Sequence, residues 1–171
     1  CCFIICGISG TQQVSASESG KTDTSYTIIY DDSAYLIKDT DKPQLYDVME
    51  SISRNTNVIF YTTDSTEYGR NTADICQNYC AEHFGSSKTA PVIMFTIDMY
   101  NRKIYMYCTG STRKIIRNAE ANSITDNVYK SATAGDYGKC AVNAFTQAEN
   151  CLAGGKVKRP MQIINNVLLA M

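Results

Sequence analysis

The sequence predicts an α/β fold, an α/β/α sandwich with a central mixed sheet of about four strands and helices on both faces. Three observations predict it. Compact apolar runs rich in β-branched and aromatic residues alternate with segments whose apolar residues recur at helical spacing. Two of those runs are joined only by Asp98-Met99-Tyr100-Asn101-Arg102, which makes a hairpin in a chain whose other strands connect through helices. The length, 171 residues, is one domain's worth and too short for two.

Taken in order, Tyr26 to Tyr30 (YTIIY) reads as a strand ending at Asp31-Asp32. Thr40-Asp41-Lys42-Pro43 is a helix start, with a cap candidate and a proline in the first turn. Leu45, Val48, Met49 and Ile52 then fall on one helical face. Asn57 to Thr62 (NVIFYT) is a buried strand, and Asn71 to Phe84 is helical again. Pro91 to Ile97 and Lys103 to Cys108 are the hairpin strands. From Thr112 onward the pattern is helical, with breaks expected near Asn122 and at Ala134-Gly135. The order is β-α-β-α-β-β-α-α-α. Strand-to-helix loops then gather at one sheet edge, where ligands sit in such folds.

Composition excludes several classes. Sixteen Lys+Arg against 17 Asp+Glu give a net charge of −1, so there is no basic footprint for nucleic acid. Apolar residues at 44% and charged residues at 19% exclude a disordered chain. A single histidine narrows the options for catalytic triads and zinc sites, which spend at least one.

The two ends carry their own signals. Residues 1–16 contain the uncharged run CCFIICGI and the Val14-x-Ala16 pattern of a signal-peptide remnant, and 17–25 (SESGKTDTS) is a polar linker. The domain proper is expected over 26–155. Beyond Lys156, Lys158 and Arg159, residues 160–171 run without charge and read as the start of a transmembrane helix or as a short C-terminal helix. An exported domain on the extracytoplasmic side of the cell membrane is the expectation. Of eight cysteines, five (Cys76, Cys80, Cys108, Cys140, Cys151) lie outside the leader, and an odd count at irregular spacing favours buried free thiols over a disulfide framework.

Three constellations could carry chemistry. Cys108-Thr109-Gly110-Ser111-Thr112-Arg113 resembles an anion loop, with Gly110, Ser111 and Thr112 as the anion-binding residues. Only four residues separate Cys108 from Arg113, one fewer than a cysteine phosphatase needs, so Cys108 is expected to be a core thiol. Cys76, Cys80 and His83 share a helix face at i, i+4 and i+7, a soft-metal spacing that equally suits a core stripe. Asp32, Asp64 and Asp98 follow strand ends. If they converge they could hold Ca²⁺ or Mg²⁺ weakly, and if not they are loop acids, with Asp98 pairing Arg102.

From Tyr26 to Leu152 the chain resembles the TPM-domain family, often labelled TPM phosphatases. The residues that carry the likeness are Asp32-Ser33-Ala34-Tyr35-Leu36, the helix of Leu45, Val48 and Ile52, and the strand NVIFYTTDS to Ser65. To these are added Ile97-Asp98-Met99-Tyr100-Asn101-Arg102, Thr109-Gly110 and Gly135-Asp136-Tyr137. The resemblance implies an exported, membrane-anchored domain, with cation binding and phosphatase activity in some members. Two departures remove carboxylates that a cation would use: Ala81 to Lys88 replaces an acidic Gly-rich stretch, and Arg117-Asn118-Ala119 lacks an Asp. The expected role is therefore a binding or assembly module for membrane or envelope proteins. The alternative is a metal-assisted phosphomonoesterase with its metal at Asp32 and Asp98. No catalytic residue is assigned.

Overall fold

Four strands form one sheet in the order β1-β2-β3-β4 in the computed structural model, which describes residues 26–157. β1 (Ile28–Asp32), β2 (Asn57–Thr63) and β3 (Val92–Asp98) are parallel, and β4 (Lys103–Thr109) returns antiparallel to β3. The helices are α1 (Lys42–Ser53), α2 (Thr72–Phe84), α3 (Thr112–Ile115), α4 (Asn118–Thr133) and α5 (Tyr137–Leu152). The expected element order and the mixed sheet with helices on both faces are present.

Strand alternation divides the core. Val58, Phe60, Ile93, Phe95 and Ile97 face α1, α4 and α5, whereas Ile59, Tyr61, Val92 and Met94 face α2. β2 and β3 are buried at every position, as interior parallel strands covered on both faces must be. Phe145 of α5 anchors the larger side. It is fully buried and meets Phe60 and Phe95 edge-on, at centroid distances of 6.5 and 6.0 Å.

Local signals set the ends of the helices. Pro43 occupies the first turn of α1, where its missing N–H costs nothing, and Leu45, Met49 and Ile52 are buried below it. Asp41 makes no capping bond to that helix; it packs on Gly138 instead, where an added Cβ would lie 2.3 Å from Asp41 Oδ2. Asn71 caps α2 by accepting from the Asp74 N–H at 2.9 Å.

Two expectations shift. β1 begins at Ile28 and runs through Asp32, because its pairing partners on β2 extend from Val58 to Thr62. The break expected near Asn122 falls at Ile116-Arg117 instead. Ile116 sinks into the core, and the Arg117 N–H restarts the helix by donating to Glu120 Oε2 at 3.2 Å. Asn122 is an exposed residue within α4 and breaks nothing. The break at Gly135 is present, with φ at 74°. The leader, the linker and the 160–171 run lie outside the described residues. Among the described residues no helix is long and apolar enough to cross a membrane.

Candidate functional site

The carboxyl ends of β1, β2 and β3 form one edge, and its carboxylates are held by the chain's own donors. Asp32 Oδ1 accepts from the Leu36 N–H at 2.9 Å and the Thr62 hydroxyl at 2.6 Å, and its Oδ2 accepts from the Ile37 N–H at 3.0 Å. Thr62 Oγ1 in turn accepts from the Ala34 N–H at 3.1 Å, so one strand-end pair folds the β1–α1 loop over the sheet. Asp98 is fully buried. It accepts from the Thr72 hydroxyl at 2.8 Å, the Asn101 N–H at 2.9 Å and Asn101 Nδ2 at 2.7 Å, fastening the start of α2 and the hairpin. Asp31 accepts from the Tyr79 hydroxyl at 2.8 Å and from Ser33. Tyr79 also stacks on Tyr61 at 4.1 Å. Burial, followed by its bond to Asp31, raises the Tyr79 phenol.

Asp32 and Asp98 share this edge but do not converge. Asp32 pairs with Thr62, and Asp98 with the next residue, Thr63, so their strands are two apart, about 9–10 Å. Asp32 alternates with Tyr30 on the α1 side, whereas Asp98 bonds Thr72 of α2 on the other. The two carboxylates therefore sit on opposite faces of the sheet, each already held by three internal donors. Asp64 lies beyond β2, exposed to solvent. The Asp98–Arg102 pairing is also replaced, because Thr72 and Asn101 occupy the carboxylate.

The other two constellations resolve into core chemistry. Gly110, Ser111 and Thr112 lie at the opposite edge, since Lys103 pairs with Asp98 and Thr109 with Val92; that is about 20 Å along β4. The Gly110 N–H donates to Lys88 O at 3.0 Å, and the Thr112 hydroxyl reaches Val92 O at 2.9 Å. These two donors thus close the loop itself, and the loop and the Asp32 and Asp98 carboxylates lie at opposite edges of the sheet. Burial pushes the Cys108 thiol up to about 12, outweighing the nearby Arg113. In the Cys76, Cys80 and His83 set, Cys76 donates to Thr96 Oγ1 at 3.2 Å inside the core, while His83 is exposed against Tyr79. Burial raises the Cys76 thiol to about 12 and raises Cys80 as well. All five described cysteines are free and buried. Among the described residues no group of three or more His, Cys, Asp or Glu could hold a metal ion.

What the upper edge does leave open is a groove of about 480 Å³ between the β3–β4 hairpin and the α4–α5 turn. Ile97, Ile104 and Ala132 give it apolar walls, Tyr129 and Tyr137 add aromatic surface, and Arg102 and Lys103 supply cations. Arg102 adopts the left-handed conformation, φ 52°, on the turn. Asp98 lines the groove as well, opposite Lys103 in the β3–β4 register, but among the described residues neither Arg102 nor Lys103 forms an ion pair. Sequence reasoning missed this groove because its walls come from three separated segments.

Fold and edge together define a three-layer α/β domain with loops and a groove at the carboxyl ends of its parallel strands. The chain belongs to the TPM domain family, whose model, labelled TPM phosphatase, matches residues 30–151. Two solved structures share the fold. The N-terminal domain of a protein from P. gingivalis, solved by solution NMR, has 11% identity and a TM-score of 0.64, covering 78% of this chain and 85% of its own. The N-terminal domain of a Corynebacterium glutamicum protein, also an NMR structure, has 10% identity and a TM-score of 0.52, covering 82% and 86%. Comparison with curated proteins returns no match.

Proposed function

We propose that this TPM domain is a non-catalytic binding module, exported and tethered to the membrane, that assembles with other membrane or envelope proteins through the hairpin groove. The observation that carries this reading is the contrast within one edge. Asp32 and Asp98 are each committed to three internal donors, while Arg102 and Lys103, which line a groove with Asp98, form no ion pair among the described residues. Such a groove suits an acidic segment that also carries apolar or aromatic side chains, the cations setting register and the walls supplying burial. The uncharged run at residues 161–171 supports the tether, and the leader-like run at residues 1–8 supports export.

The test places a photo-crosslinking amino acid at Tyr129 in the full chain and irradiates intact membranes. The reading expects one dominant membrane or envelope protein in the adduct, lost when Arg102→Glu reverses the charge of the groove. An adduct indifferent to Arg102→Glu, or turnover of p-nitrophenyl phosphate by the purified chain with Ca²⁺ or Mg²⁺, contradicts it.

A further inference from the structure

We infer that the edge of the domain opposite the groove is a docking surface for anionic lipid headgroups. Its centre is α3 and the short connector that follows it, Arg113-Lys114-Ile115-Ile116-Arg117. The two isoleucines divide the work. Ile116 is 1% exposed and pins the connector to the core, whereas Ile115 is 46% exposed with Arg113, Lys114 and Arg117 exposed around it. An exposed β-branched apolar residue ringed by cations suits the boundary between lipid headgroups and acyl chains, where the cations meet phosphate and the apolar group is removed from water. Glu120, the acid nearest in sequence, is engaged by the Arg117 N–H. Among the described residues none of the three cations forms an ion pair.

The path of the chain chooses this occupant over a soluble partner. The domain is entered at this edge, where the Tyr26 N–H donates to Ser53 O at the end of α1. It is left at the same edge, because Glu149 near the end of α5 bonds Ser51. Lys156 is exposed just after α5, and residues 161–171 follow without charge. The chain therefore enters and leaves the described domain at the edge where the cations lie. Juxtamembrane Lys and Arg are drawn to anionic lipid, each strengthening the association about fivefold. The opposite edge carries Asp31, Asp32, Asp64 and Asp98, so docking in this sense turns the groove away from the bilayer.

This orientation rests on the tethered reading, and the experiment separates the two. The full chain is reconstituted into vesicles of phosphatidylcholine alone and of phosphatidylcholine mixed with phosphatidylglycerol. It is floated after a carbonate wash, and amide exchange is followed over residues 113–119. The expected result is carbonate-resistant flotation in both lipids. Exchange of the connector slows on the order of a hundredfold in the anionic vesicles only, three cations at about fivefold each. Combined Arg113→Gln, Lys114→Gln and Arg117→Gln returns it to the neutral-lipid rate, with β3 exchange unchanged as the folding control. Carbonate-resistant chain whose connector exchanges alike in both lipids overturns the docking surface and leaves the tether standing. Chain stripped by carbonate, yet floating without the wash on anionic vesicles until the three cations are replaced, overturns the tether and supports the surface. Chain that is stripped and ignores anionic vesicles overturns both.

Discussion

At the edge where β1, β2 and β3 end, side-chain carboxylates hold the loops: Asp32 gathers the β1–α1 loop, and Asp98 gathers α2 and the hairpin. At the opposite edge backbone carbonyls are the acceptors that do the same work. Gly110 donates to Lys88, the Thr112 hydroxyl reaches Val92 O, and Asn57 bridges to Pro91 O at 2.8 Å. Asp31, Asp32 and Asp98 are spent internally at the first edge, and the groove open there keeps Arg102 and Lys103 without an ion pair among the described residues. At the second edge the cations Arg113, Lys114 and Arg117 are left exposed, with no ion pair among the described residues. The difference teaches that a strand-end Asp in this domain is better read as a loop fastener than as a ligand.

Substitutions can break that contrast. The largest effect is expected at Gly110, where φ is 59° and an added Cβ would lie 2.6 Å from both Ala90 O and Thr89 O. Gly110→Ala should cost about 3 kcal/mol in urea unfolding, because strain and a backbone clash combine. Near-neutral behaviour would mean the lower edge is not built on close backbone approach. Next is Thr72→Val, which strips one donor from a fully buried carboxylate and should cost about 2 kcal/mol. Tyr79→Phe keeps the stack on Tyr61 and deletes the bond to Asp31, for about 1 kcal/mol by the same assay. Smallest is the triple replacement of Arg113, Lys114 and Arg117 by Gln, expected within about 0.5 kcal/mol of wild type. A large loss there would show that the lower cations are fasteners too.

The element order was legible because each buried strand is a dense β-branched and aromatic run, and each early helix announces itself with Pro43 or Asn71. Which face each strand-end Asp takes was not. NVIFYTT and VIMFTID are buried on both sides, so no alternation of polar and apolar residues reveals their parity. Two adjacent aspartates in a strand must point to opposite faces, and only the register with Thr62 and Thr63 tells which of them lies on the side of Asp98. The α3–α4 break escaped notice because both flanks are helix-compatible. Its cause, the burial of Ile116, is a tertiary fact. The groove is likewise tertiary, assembled from a hairpin, the end of one helix and the start of the next.

The most direct measurement of whether strand-end carboxylates fasten loops is urea unfolding of wild type and Asp98→Ala, each in EDTA and in calcium. Three internal donors lose their acceptor in the variant. The account predicts a deficit of about 3 kcal/mol that is the same in both buffers. Equal stability in EDTA, with a deficit that appears only when calcium is added, would contradict it and make Asp98 a ligand.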